Sequence, residues 1–172
     1  LEHGSVFDIN GMSMFFDKNL NQRFYYLGLL SSKITTKLLS ILNPTLAFQV
    51  GDLNKLPIIV DEAKLSNITD FVTINIEISK CEWNSKETSW DFNKNELIRI
   101  KGDDLIQSFD LYKQYWTNKF YKVFKNEREL NRQFIEIYGL QDELTPDVPL
   151  EDITILKEET SIVNEELVFD QK

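Results

Sequence analysis

The chain has one cysteine, Cys81, and one histidine, His3. A lone thiol makes no internal disulfide, and a single thiol with a single imidazole is too small a ligand set for a zinc site. Cys81 therefore reads as a plain buried or half-buried thiol. No stretch approaches the roughly 20 apolar residues that span a bilayer, and the first residues lack the basic and apolar regions of a signal peptide. No membrane partner is expected, and the expected location is cytoplasmic. Glycine is scarce, six in 172 residues, and none builds the glycine-rich strand-to-helix loop that cradles a nucleotide or a methyl donor. Gly28 and Gly139 stand isolated.

A basic excess is missing too. The net charge of −9 argues at first against a nucleic-acid partner, because phosphate contacts need Lys and Arg. The distribution of charge removes that objection. Residues 1–60 carry a net +1, residues 61–140 a net −2 and residues 141–172 a net −8, so the acidity sits in the tail and the body is nearly neutral. What the chain does have is apolar and aromatic material, 42% hydrophobic and 12% Phe, Trp and Tyr, which is enough for a packed core over most of its length.

Val6 to Asp8 and Met12 to Phe16 flank Asn10-Gly11, a pair suited to a hairpin turn, and read as a strand pair. From Gln22 to Leu42, Phe24, Leu27, Leu30, Ile34, Leu38 and Ile41 recur at three- and four-residue steps, which predicts one helix ended by Pro44. Leu46 to Val50 reads as a strand, Gly51-Asp52 as a turn, and Leu56 to Val60 as a strand or extended exit. Residues 61–80 fit two patterns. Val72, Ile74, Ile76 and Ile78 alternate as in a strand, while Leu65, Ile68, Phe71, Val72, Asn75 and Ile78 follow helical spacing; Asp61 and Glu62 at the start favour helix, with a new cap at Ser79-Lys80-Cys81-Glu82. Trp83, Trp90 and Phe92 read as loop aromatics pinned onto the core. Ile106, Phe109, Tyr112, Trp116, Phe120 and Val123 predict a helix over 104–125, and Asn126-Glu127-Arg128-Glu129 predicts a break and a second helix closed by Gly139. Beyond Leu140 the apolar islands are Ile153 to Leu156 and Leu167 to Phe169. The expected class is α+β: a small, incomplete sheet lobe with a long helix over 1–60, a mainly helical lobe over 61–145, and an acidic, partly ordered tail over 146–172.

Chemistry is hard to find. Asn43-Pro44-Thr45-Leu46 falls short of the Asn/Asp-Pro-Pro-aromatic loop that holds a flipped base, since the second proline and the stacking ring are missing; a helix stop and turn explains it. Asp103-Asp104, Asp142-Glu143 and Glu158-Glu159 show no spacing that makes carboxylates converge on a metal or an acid–base pair. The basic positions are the better lead. Lys119, Lys122, Lys125 and Arg128 fall opposite the apolar stripe of their helix, Lys33 and Lys37 form an i, i+4 pair, and Gln49 and Lys55 flank the Gly51-Asp52 turn. Each set fits either a phosphate-tracking face or ordinary solvated surface.

Two stretches are more specific. Tyr25-Tyr26-Leu27-Gly28-Leu29-Leu30-Ser31-Ser32-Lys33, then Leu42 to Leu53, then Leu56-Pro57 resemble the closing part of target-recognition domains in restriction–modification proteins, with Ser31 where asparagine is commoner. Trp83, Glu87-Thr88-Ser89-Trp90-Asp91-Phe92, Asn126-Glu127-Arg128-Glu129-Leu130-Asn131-Arg132 and Ile135 to Pro146 resemble the C-terminal region of PglX-type BREX methyltransferases, and Phe7 to Ser13 fits the preceding segment.

The resemblance implies adenine N6 methylation of double-stranded DNA using S-adenosylmethionine, as part of phage defence. It also implies that this chain is an internal piece. The catalytic loop and the cofactor-binding glycines would belong to an upstream methyltransferase domain, and S-adenosylmethionine is not expected to bind here. On that reading no catalytic, cofactor or metal residue is expected. Lys33, Lys37, Gln49, Lys55, Lys119 and Lys122 are candidate DNA contacts, and Trp83 and Trp90 candidate contacts to a neighbouring domain or to other defence-system proteins. The rival expectation is a protein–protein interaction module with no DNA contact. A hydrolase with an acidic metal site is a third, and would need Asp103, Asp104 and another acid in one pocket.

Overall fold

A computed structural model of the chain describes residues 13–16, 22–45 and 48–170. The first helical stretch, expected as one helix, is two: α1 (Gln22–Leu30) and α2 (Lys33–Leu42). The cause is local competition for one carbonyl. Ser32 Oγ and Thr35 Oγ1 both donate to the Leu29 carbonyl, each at 2.7 Å, and this is the acceptor that the Lys33 N–H would use in an unbroken helix. That N–H donates instead across the molecule to Asn131 Oδ1 at 3.0 Å. The buried face is also not the expected one: Tyr25, Leu29, Ile34 and Leu39 are buried, whereas Leu27 and Ile41 are exposed. Gly28 belongs to the buried face, and a Cβ there would stand 2.8 Å from Val72 Cγ2. Glycine is what allows α1 this close approach.

The strand expected over Leu46 to Val50 is not formed by its described residues. Phe48 and Gln49 are irregular and Val50 opens a one-turn helix, α3 (Val50–Leu53), because Gln49 and Asp52 cap each other reciprocally. The expected turn at Gly51-Asp52 is thus helical. Leu56 to Val60 is an extended, unpaired exit. Two tyrosines fix it: Tyr25 Oη donates to the Ile59 carbonyl at 2.9 Å and Tyr138 Oη to the Pro57 carbonyl at 2.7 Å. The hairpin expected from Val6 to Phe16 lies outside the described residues except for 13–16, which are not in a strand.

The ambiguity over 61–80 resolves as helix. Helix α4 (Glu62–Asn84) is capped by Asp61, whose carboxylate accepts from the Ala63 N–H at 2.9 Å. It runs through Ser79 to Glu82, where the sequence suggests a new cap, because Glu82 is turned inward. Its carboxylate takes Lys86 at 2.9 Å and accepts the Leu156 N–H at 3.3 Å. After the single turn α5 (Glu96–Arg99), helix α6 (Leu105–Tyr138) runs from the Asp104 cap to Gly139, which is left-handed at φ +66°. The break expected at Asn126 does not occur. Asn126 is buried and donates from Nδ2 to Asn75 Oδ1 of α4 at 2.8 Å.

Helices α4 and α6 pack together, with α1 against α4 and α2 against α6. Two apolar clusters lie along this frame. The first joins Tyr25, Leu29, Ile34, Ile68, Val72, Leu130, Phe134 and Ile135. The second joins Ile78, Tyr112, Trp116, Phe120 and Val123 to Ile153, Ile155 and Leu156, which lie beyond α6. The chain ends in a hairpin of β1 (Thr160–Val163) and β2 (Glu166–Phe169), antiparallel with Thr160 opposite Phe169. Asn164 and Glu165 both have positive φ, +51° and +63°, which suits the strand twist at a two-residue turn. The α+β class holds, and the sheet found among the described residues is in the C-terminal part.

Candidate functional site

The basic residues singled out in the sequence fall into two separate groups. Lys33 and Lys37 lie on α2 and Lys55 just beyond α3, which packs on α2. Lys37 and Gln49 are exposed, Lys33 is half-buried, and Lys55 Nζ lies 3.9 Å from Asp52 Oδ1. Asn43 and the Gln49 N–H hold the Asp52 carboxyl below the usual range, by hydrogen bonds at 2.8 and 3.0 Å. Gln49 is therefore committed to the α3 cap, while Lys37 points its charge into solvent.

Lys119 and Lys122 form the second group, in the middle of α6. They line a shallow groove with Ile74, Glu77, Tyr115 and Asn118, and Lys119 Nζ sits 4.9 Å from the Tyr115 ring centroid, close enough for a cation–π contact. The Tyr115 hydroxyl is pushed up to about 12 by burial and by its neighbour Cys81, whose Sγ is 3.7 Å away. Cys81 is half-buried. Because α6 continues through Asn126, Lys125 and Arg128 share its axis; Lys125 is exposed and Arg128 is paired with Asp147 at 3.0 Å. The Lys33 N–H meets α6 at Asn131, nine residues beyond Lys122 and twelve beyond Lys119, so the two groups are separated by about 14–18 Å along that helix.

Trp83 and Trp90 correct the expectation of loop aromatics pinned to the core. Trp83 is on α4 and 56% exposed, and Trp90 is fully exposed. They share a depression with Lys80, Asn84, Thr88, Ser89 and Asp91. Ser89 shapes it, donating from Oγ to Asn84 Oδ1 at 2.8 Å while accepting the Asp91 N–H at 3.2 Å. Other apolar side chains near the start of α6 are also solvent-facing: Ile98, Leu105 and Ile106 are each more than half exposed.

Asp103 and Asp104 stand at the start of α6, where Asp104 Oδ1 accepts the Gln107 N–H at 2.8 Å and the Asp103 N–H donates to Gln107 Oε1. Among the described residues, no three His, Cys, Asp or Glu side chains are placed to hold a metal ion. Nor does any helix among them reach the length and apolarity needed to cross a membrane.

Sequence reasoning missed a cleft of about 520 Å³ between the end of α1, the middle of α4 and α6. Its walls include Gly28, Val72 and Leu130, its mouth carries Trp83, and Glu127 faces it from α6. Burial, helped by the nearby Asp152, pushes the Glu127 carboxyl above the usual range. A capping pattern hid this residue, since Glu127 looks like part of a helix start when read locally.

No family model matches the chain. It is 31% identical over 157 residues to the adenine-specific methyltransferase PglX of Lacticaseibacillus casei (strain Zhang), a match covering 88% of this chain and 13% of the relative. It is 34% identical over 143 residues to the adenine-specific methyltransferase BrxX of Escherichia coli O9:H4 (strain HS), covering 83% of this chain and 12% of that protein. The chain is related to the PglX-type methyltransferases. It spans about an eighth of the length of these relatives.

Proposed function

We propose that this chain is the target-recognition and spacer portion of an adenine-specific DNA methyltransferase of a BREX phage-defence system. The observation that carries the proposal is the 31–34% identity to PglX and BrxX, sustained over 83–88% of the chain. A methyltransferase that flips a base needs a second surface to hold the flanking duplex, with cations on the phosphates. Lys33, Lys37 and Lys55, with Gln49 beside them, supply one edge of that surface, and Lys119 and Lys122 a second. The α4–α6 pair is the rod that fixes the spacing between them. On this reading S-adenosylmethionine binds, and methyl transfer occurs, in another domain of a longer cytoplasmic polypeptide, which is this chain's first partner; duplex DNA is the second.

The solvent-facing tryptophans favour a second reading, in which the chain docks other defence-system proteins and never touches DNA. Exposed aromatic side chains grouped in one depression are typical of protein contacts. Equilibrium binding of duplex DNA by the full-length enzyme separates the two. Reversing charge at Lys33, Lys37 and Lys55 together should weaken binding and flatten the dependence of log K on log salt by about two to three units of slope. Unchanged affinity and slope would leave the docking module as the better account.

A further inference from the structure

The extended stretch from Pro57 to Asp61 has one of its two main-chain edges satisfied and the other open. In an extended backbone, alternate residues turn their N–H and C=O groups to opposite sides. Pro57, Ile59 and Asp61 turn theirs towards α1 and α6, where two phenols take the place of a neighbouring strand. The Tyr138 hydroxyl accepts the Ile59 N–H at 3.2 Å and donates to the Pro57 carbonyl at 2.7 Å. The Tyr25 hydroxyl accepts the Asp61 N–H at 3.3 Å and donates to the Ile59 carbonyl at 2.9 Å. Ile58 and Val60 turn to the other side. Among the described residues, nothing pairs with the N–H or C=O of either. The stretch is held in place nonetheless, because Leu56 is buried and Val60 packs on the first apolar cluster, while Ile58 and Ile59 stay exposed.

The open edge specifies its occupant. It presents a donor and an acceptor together, and repeats them two residues on, about 7 Å away. Nucleic-acid phosphates only accept, so a duplex would leave both carbonyls unmet. A helix has already spent its own main-chain groups. Another extended main chain meets all four groups, and its side chains cover the exposed Ile58 and Ile59. A second copy, paired over five residues, falls short of the roughly 1,000 Å² that a lasting interface buries, whereas a strand of the same polypeptide is held near by its tether. We infer that Leu56 to Val60 is an edge strand that receives one β-strand from elsewhere in the longer polypeptide. The inference rests on the reading of this chain as part of a longer enzyme, whose relatives it spans by only about an eighth. It needs no contact between the basic groups and DNA.

The test is amide hydrogen exchange, read residue by residue by mass spectrometry, on the 172-residue chain and on the full-length enzyme without DNA. The tyrosines should protect the Ile59 and Asp61 amides in both. The Ile58 and Val60 amides should exchange nearly freely in the shorter chain and at least about a hundredfold more slowly in the full-length enzyme. Ile58→Pro removes one edge donor without breaking any hydrogen bond within the chain, so the fold should persist. In the full-length enzyme it should speed exchange at Val60, whereas Ile58→Thr, which keeps the N–H, should not. Equal exchange in the two proteins, protection that requires added duplex, or protection in the shorter chain that grows with its concentration, the mark of a second copy, would each overturn the assignment. Protection in the full-length enzyme, together with an unchanged salt slope after charge reversal at Lys33, Lys37 and Lys55, would uphold the strand and remove only the DNA reading.

Discussion

The two apolar clusters share the same pair of helices and are built on different principles. The first is closed by helix against helix: α1, α2, α4 and the end of α6 meet around Tyr25, Ile68 and Phe134, with the Tyr25 and Phe134 rings edge-on at 5.3 Å. The second is closed by the stretch of chain that follows α6. Ile153, Ile155 and Leu156 fold back onto Tyr112, Trp116 and Phe120, and polar bonds anchor the return. Glu159 accepts from the Tyr112 hydroxyl at 2.7 Å, and Glu82 from the Leu156 N–H. An acidic tail can thus be part of a core when a few apolar residues are spaced to reach it and its carboxylates find donors. Between the clusters the Asn75–Asn126 bond joins α4 to α6.

The comparison breaks most sharply at the two central rings. Phe134→Ala and Trp116→Ala should each lower unfolding free energy by about 3–5 kcal/mol, measured by urea denaturation. They should differ in what is lost first: limited proteolysis of Trp116→Ala should release the segment after 146, while Phe134→Ala should leave that segment protected. Gly28→Ala comes next. The added methyl meets Val72 at 2.8 Å and Phe134 at 3.4 Å, a strain of about 1–3 kcal/mol confined to the first cluster, which should show as lost amide protection in α1 and not around Trp116. Asn126→Ala should cost about 1–2 kcal/mol by leaving Asn75 without its donor. Adding Asn75→Ala should then cost less than it does alone, the coupling expected of a direct bond.

The smallest effect is a pH dependence belonging to the first cluster's end. Arg132 holds Glu129, and Lys64 holds Glu136, below the ordinary carboxyl value of 4.5. A carboxyl lowered in the folded state contributes stability above its unfolded value, and that contribution is lost as pH falls below 4.5 and through the folded value. Arg132→Gln should therefore lower stability slightly near neutrality and leave it unaltered once the carboxyls are protonated, which flattens the stability–pH curve below about pH 5; the effect is small because these pairs are largely exposed.

Much of this was legible in single residues. Tyr112, Trp116, Phe120 and Val123 keep a helical step that places all four in the core, and Asp104 and Gly139 mark the true ends of α6. What misled were patterns whose meaning depends on a distant partner. Asn126-Glu127-Arg128-Glu129 has the local chemistry of a helix start, but Asn126 is satisfied by Asn75, 51 residues away, so the backbone has no reason to break. The Leu-rich stretch from 22 to 42 keeps its period across Ser31-Ser32, and the break there follows from hydroxyls capturing the Leu29 carbonyl and from Asn131 accepting the freed N–H. Ile106 and Phe109 continue the α6 stripe and are nevertheless exposed, because the helix start extends past the cluster that buries Tyr112. Of the candidate site residues, sequence marked the lysines and the tryptophans but gave no hint that Glu127 lines a cleft, because that placement depends on α1 and α4 meeting α6.

The most direct test of the proposed division of labour is methyl transfer to duplex DNA by the full-length enzyme with Lys33, Lys37 and Lys55 reversed in charge. If these residues grip the duplex while transfer occurs in another domain, KM for DNA should rise at least about tenfold, with kcat at saturating DNA and KM for S-adenosylmethionine unchanged. A fall in kcat with the DNA KM unaltered would contradict the account.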